Sequence, residues 1–369
     1  MAVERIELLH LELPYVHYFE TSFGRETIKT CLLVKAYSEG ICGYGEVVAE
    51  KRPLYSYETS ATAWLMLEEV FIPAVLSSGL EDPGEFHDRA RRFKGHPMAK
   101  AGLECALWDL KAKKIGRPLS RLYGGERTEV LSGVSVGIQD TPAQLLDRIE
   151  GFLAQGYPRV KLKIKPGWDV RICQDVRRRF PNVPLQVDAN AAYGIDDLLR
   201  LKQLDRFCLQ MLEQPFSGED LWDHSKLQRE LETPVCLDES ARSAEWVRQA
   251  QEMESCQVIN IKIGRVGGVV EARRIHDLCR AADMPVWCGG MLETGIGRAH
   301  NIHLASMPGF TLSNDISASS RYFAQDLVEP AFVLTPMGTL AVPEEPGIGV
   351  EPQLDRIRRV TKRREIFKA

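Results

Sequence analysis

The stretch KLKIKPGWD, residues 161–169, sets Lys161, Lys163 and Lys165 on alternate positions with Leu162 and Ile164 between them. Successive side chains leave a pleated backbone on opposite faces, so the pattern is a half-buried strand with its ammonium groups on one side. Taken alone, it fits an exposed edge strand whose lysines face water and block unwanted pairing. It also fits a strand whose lysines face inward toward charged partners, and the flanking sequence weighs between the two.

From about residue 130 onward, short apolar runs alternate with amphipathic ones. The strand candidates are VLSGVSVGI, RVKLKI, PLQVDAN, CLQMLEQP, PVCLDES, QVINIKIG, MPVWCGG and FTLSN, eight in all. Helical stretches such as TPAQLLDRIEGFLAQG, DVRICQDVRRRF, GIDDLLRLKQLD, SAEWVRQAQ and VVEARRIHDLCRAAD lie between them, as parallel strands joined by crossovers require. Eight such strands predict a closed α/β barrel of the TIM type. An open doubly wound sheet is the alternative, but no GxGxxG follows a first strand to support it. Residues 1–125 read as an α+β domain: IKTCLLVKAYSEGICGYGEVV is a hairpin turning at Ser38-Glu39-Gly40, and two helical stretches follow, the second ending at Gly116 with Pro118 beyond. The barrel is assigned to residues 126–325, and the Pro- and Gly-rich segment 326–369 is expected to return to the first domain.

The composition is that of a globular protein, with 44% hydrophobic and 27% charged residues. A formal charge of -4 and a pI near 6.1 give no field for nucleic acid or an anionic membrane. No apolar run approaches the roughly 20 residues needed to span a bilayer, and the start MAVERIELLHLELP is acidic where a signal peptide is basic, so a cytosolic, cytoplasmic protein is expected. The nine cysteines include no CxxC pair and several sit in apolar runs, so they read as reduced core residues. The partner implied is a small molecule, and a homo-oligomer is the expected assembly.

Lys163 lies in the second barrel strand, and Asp188, Glu213, Asp238 and Lys262 end the next four, at separations of 25, 25, 25 and 24 residues. One strand, one helix and two loops take about that many residues, given strands of ~5 to 6 and helices of ~11 to 12. The charges therefore recur once per barrel unit at the same end, the C-terminal mouth where barrel enzymes keep their active sites. In VINIKIG, Val258, Asn260 and Lys262 share one face, as do Gln186, Asp188 and Asn190; Lys161 and Lys163 then point inward too. Three inward carboxylates need a cation between them, and all-oxygen ligation favours Mg²⁺, with Mn²⁺ next. A lysine on either side of that ion can reach opposite faces of a carbon next to a metal-bound carboxylate. For a lysine to act as a base near neutral pH its pKa must fall from about 10.4 toward 7 or 8. Lys161 beside Lys163, and Arg265 near Lys262, are the neighbours expected to lower it.

At these residues the chain resembles the enolase superfamily, in its muconate-lactonising branch: a KxK at Lys161 and Lys163, then Asp188, Glu213, Asp238 and Lys262. Lysine bases working beside Mg²⁺ are a known pattern of this superfamily, so that part of the mechanism comes with the resemblance. The resemblance implies a (β/α)7β barrel with an N-terminal capping domain. KIGRVGG, with Arg265 three residues after Lys262, WCGGMLETGIGRAHN and SNDISASSRYF narrow it to the o-succinylbenzoate synthases and the N-succinylamino acid (N-acylamino acid) racemases. Dipeptide epimerases typically show DxD at the last strand, where this chain reads Asn314-Asp315-Ile316, and muconate cycloisomerases rank third. The activity implied is a Mg²⁺-dependent dehydration in menaquinone biosynthesis, with two-base racemisation as the alternative and a small-molecule carboxylate as substrate. The resemblance further implies a cap closing over the substrate with loops around Phe19 to Phe23 and Tyr55, while Ser135, Met291 and Leu292 shape the pocket.

Overall fold

A computed structural model of the protein describes residues 2–77 and 79–369. Its first part is an antiparallel sheet of Arg5–Thr21, Gly24–Ser38 and Ile41–Val47. The second and third strands meet at the expected turn, where Glu39 (φ 51°) and Gly40 (φ 78°) both take the left-handed conformation that tight hairpins favour. The middle strand is buried without interruption from Thr30 to Ala36 because both of its faces are covered. Leu32, Val34 and Ala36 pack on the cap helices, while Cys31 and Leu33 join the core shared with the barrel.

Helix Pro97–Lys114 lies against this sheet, and His96 before it supplies no side-chain cap. Glu58 does so instead, accepting from the Met98 amide at 2.7 Å and the Ala99 amide at 2.8 Å. Burial pushes the Glu58 carboxyl up to about 7. Glu58→Ala would leave two buried donors unpaired, and should cost ~1 to 2 kcal/mol in urea unfolding, the upper range for a lost cap. Glu58→Gln, which retains an acceptor, should cost less.

Seven parallel strands follow in sequence order: Val134–Val136, Val160–Lys163, Leu185–Asp188, Leu212–Glu213, Val235–Leu237, Val258–Ile261 and Val286–Cys288. The eighth candidate, FTLSN, forms no continuous strand. It closes the ring through single parallel bridges, Phe310 to Val286 and Asn314 to Ser132. The Asn314 side chain takes over part of the ladder there, accepting from the Cys288 amide at 2.7 Å and donating to the Leu131 carbonyl at 2.9 Å. The first candidate, VLSGVSVGI, is also split: Glu129–Leu131 pairs antiparallel with Thr339–Ala341, and only Val134–Val136 enters the barrel.

Inward residues sort into layers. Met211, Cys236, Val258 and Trp287 form an apolar floor, and the charged side chains stand above it. The last strand, Thr361–Lys368, returns to pair antiparallel with Arg5–Leu11 at the edge of the first sheet. Among the described residues, no helix is long and apolar enough to cross a membrane. All nine cysteines are free; Cys208 is exposed, at a left-handed turn (φ 48°), and so departs from the core placement expected of the group.

Candidate active site and metal centre

Register fixes the charged layer. Lys163 pairs with Asp188, Asp188 with Glu213, and Lys161 with Gln186, so these side chains share the inner face. Asp188, Glu213 and Asp238 are fully buried, and each offers an oxygen within 4.8 Å of the others. Lys161 Nζ lies 2.8 Å from Glu213 Oε2, 3.1 Å from Asp188 Oδ2 and 2.5 Å from Asp315 Oδ2. Lys163 Nζ donates to Asp188 Oδ2 at 2.5 Å and to Asn190 Oδ1 at 2.8 Å. On the opposite side Lys262 Nζ donates to Asp238 Oδ2 at 2.7 Å. Arg265 comes back to the same carboxylate through Nη1, and its Nη2 donates to the Asn260 carbonyl.

The electrostatics follow from packing three anions together without water. Burial and the Asp188 charge push the Glu213 carboxyl up to about 8. Burial works on Asp188 and Asp238 in the same sense, but the lysines and Arg265 overcome it and hold both below the usual carboxylate range. A divalent ion would remove the remaining conflict at Glu213, and three carboxylates without sulfur or imidazole suit a hard cation. The acidic triad therefore fits a metal site. The expected lowering of the lysine pKa by Arg265 is overturned at Lys262. Burial opposes its charge, yet Asp238 and Tyr55 outweigh burial and hold it above the ordinary lysine range, because Arg265 is spent on Asp238 rather than aimed at Lys262. Lys161 is raised likewise: burial opposes its charge, and Asp315, Glu213 and Asp188 prevail.

A cavity of about 280 Å³ opens above this layer, between barrel and first sheet. Lys161, Lys163, Asn190 and Lys262 form its floor, with Ser135 beside them. Phe19, Tyr55, Met291 and Leu292 line its sides, together with Thr21 and Phe23 of the hairpin. Arg265 and the three carboxylates lie beneath the lining.

Tyr55 reaches further than a wall residue: its hydroxyl donates to Asp238 Oδ1 at 2.9 Å and lies 3.4 Å from Lys262 Nζ. Ser135 donates to Asp315 Oδ2 at 3.0 Å. In the sequence Asp315 marks only the missing DxD, yet it lines the cavity and pairs with both Lys161 and Arg159. Sequence reasoning also missed Glu239 and Lys29; Lys29 is buried in the cavity wall and donates to the Met291 carbonyl at 2.7 Å. His300 and His224 take structural places, the first between the Tyr123 hydroxyl and the Tyr44 carbonyl, the second against Asp220 and Phe216.

Residues 6–124 match the mandelate racemase / muconate lactonizing enzyme N-terminal domain, and residues 144–356 match the enolase C-terminal domain-like family. An o-succinylbenzoate synthase from Geobacillus kaustophilus is 48% identical over 99% of this chain and 97% of its own. An N-succinylamino acid racemase from Thermus thermophilus is 49% identical over 98% of each chain. The crystal structure of an enolase superfamily member from Listeria innocua matches with a TM-score of 0.95 at 42% identity, covering 100% of this chain and 99% of that one. With both family models matched and the similarity running end to end, this chain belongs to the enolase superfamily.

Proposed function

We propose that the protein is a Mg²⁺-dependent o-succinylbenzoate synthase, removing water from a succinyl-hydroxycyclohexadiene carboxylate through an enediolate. The observation that carries this reading is that Lys163 and Lys262 reach one cavity from opposite sides of a buried carboxylate triad. The synthase relative, 48% identical over nearly the whole chain, supports the substrate class.

Asp188, Glu213 and Asp238 would hold the ion, which supplies positive charge to the substrate carboxylate and to the enediolate dianion. Lys163 removes the proton from the carbon beside that carboxylate. The ring C–O bond then breaks, and Lys163 returns the same proton to the departing hydroxide, so water leaves and the ring becomes aromatic. Lys262 stays an ammonium throughout and stabilises the enediolate electrostatically. Asp238 Oδ2 accepts from it at 2.7 Å, which favours that form.

The two-sided placement of the lysines also favours a second reading, an N-succinylamino acid racemase, and the Thermus thermophilus relative supports it. There Lys163 would take the α-proton from one face while Lys262 delivers one to the other. The test is to assay the purified protein with Mg²⁺ on both substrates and compare kcat/KM. A synthase kcat/KM far below that for racemisation makes the second reading the primary one; no turnover of either substrate removes both.

Arg265 separates the two chemistries. It and Lys262 share Asp238, one on each oxygen, so removing the guanidinium leaves more of that negative charge to bind the Lys262 proton. Racemisation requires Lys262 to give up a proton; dehydration does not. Arg265→Gln should therefore lower racemase kcat/KM by a larger factor than synthase kcat/KM. Equal losses in parallel assays would make Arg265 a purely structural residue.

A further inference from the structure

We propose that Glu239 is a positioning residue for this reaction: its carboxylate fixes which way the Asn190 amide points, and Asn190 in turn aims the Lys163 ammonium. Asn190 Nδ2 donates to Glu239 Oε1 at 3.2 Å, and Asn190 Oδ1 accepts from Lys163 Nζ at 2.8 Å. An ammonium can only donate, so Lys163 takes the amide oxygen, and Glu239 Oε1 accepts from the amide NH₂ at the other end. Flipping the amide would set NH₂ against NH₃⁺ and give up both bonds.

The surroundings leave the amide little other freedom. Asn190 sits at a left-handed φ of 43°, and its backbone amide donates to Asp188 Oδ1 at 3.0 Å. Its carbonyl accepts from Ser22 Oγ of the cap hairpin at 3.2 Å. What remains is rotation about the side-chain amide, which Lys163 holds from one end and Glu239 from the other.

Glu239 follows Asp238 just past the end of strand Val235–Leu237, where the strand's alternation has ended. Loop residue Gly218 covers it so closely that a Cβ there would come within 2.9 Å of Glu239 Cβ. Its second oxygen, Oε2, is buried without a hydrogen-bond partner among the described residues. A buried oxygen left without a partner costs stability, and retaining it calls for a reason outside the local packing. Control of the Asn190 amide is that reason.

The proposal rests on Lys163 being a base, as in the function proposed above, so the experiment reads the two separately. Wild-type turnover of the two substrates judges the function. For the positioning role, solvent exchange of the α-proton of each N-succinylamino acid enantiomer in deuterated water is followed in Glu239→Leu, Glu239→Gln and Asn190→Leu. Glu239→Leu should slow exchange on the Lys163 face by ~10-fold or more, within the range that misplacement of a reacting group produces. The Lys262 face should change far less. Glu239→Gln, whose amide oxygen can still accept from Asn190, should recover most of the loss, and Asn190→Leu should reproduce the same one-faced defect. Crystal structures of the variants give a reading independent of substrate: Lys163 Nζ should leave its place in Glu239→Leu and keep it in Glu239→Gln. Equal slowing on both faces, a Glu239→Gln defect as large as that of Glu239→Leu, or an unmoved Lys163 in Glu239→Leu overturns the proposal.

Discussion

Lys163→Ala is expected to lower turnover by at least ~10²-fold, the lower end for loss of a general base. Lys163 is 7% exposed, is held between Asp188 and Asn190, and opens onto the cavity, so no solvent-facing lysine stands in for it. Were it a surface lysine, the same change would be worth about half a kcal/mol or less in stability and would leave turnover alone. The racemase substrates sharpen the test. In deuterated water Lys163→Ala should stop α-proton exchange for one enantiomer and Lys262→Ala for the other, because each lysine serves one face. If both variants exchange both enantiomers at wild-type rates, neither lysine is the base.

The lysine stretch at 161–165 shows what was legible. Its period-two pattern held both meanings at once. Lys161 and Lys163 face inward in Val160–Lys163, but the strand ends there, and the Lys165 side chain is 41% exposed near Glu20. Spacing between barrel units was equally readable, because each unit repeats the same geometric task, and it located Asp188, Glu213, Asp238 and Lys262 on one layer. The family resemblance added the cap residues Phe19 and Tyr55, which no periodicity could place.

Asp315 escaped because alternation fails where Asn314 replaces backbone pairing with its own amide, so parity there no longer assigns a face. Glu239 escaped for a related reason: it lies past the end of its strand, where Gly218 of the preceding barrel unit packs closely against it. The direction of the Lys262 shift was not legible either, because distance along the chain says nothing of which group Arg265 meets first. In space it meets Asp238, and a cation that neutralises a neighbour's anion cannot also repel that neighbour at full strength.

Removing one carboxylate from the triad should abolish most metal-dependent activity, since three anions share one site and each loss leaves a neutral amide in a fully buried position. The three substitutions differ in their side effects. Asp188→Asn also removes the carboxylate paired with Lys163, and Asp238→Asn removes the charge shared by Lys262 and Arg265, so either one disturbs the bases together with the ion. Glu213→Gln is the cleaner change: its ammonium partner Lys161 keeps Asp188 and Asp315. It also relieves a group that burial and Asp188 press toward protonation, which offsets part of the loss of its bonds from Lys161 and Asn260 in the absence of metal. Its main weakness should appear when metal is added. Mg²⁺ at 100 times its Kd stabilises a protein that binds it only when folded by ~2.7 kcal/mol, and this increment should be present in wild type and largely absent in Glu213→Gln at the same concentration. Urea unfolding with and without Mg²⁺ measures it without reference to any substrate, and chelator followed by Mg²⁺ should remove and restore wild-type activity. Wild-type metal dependence in any two of Asp188→Asn, Glu213→Gln and Asp238→Asn would place the ion elsewhere, and the enediolate chemistry that depends on this triad would fall with it.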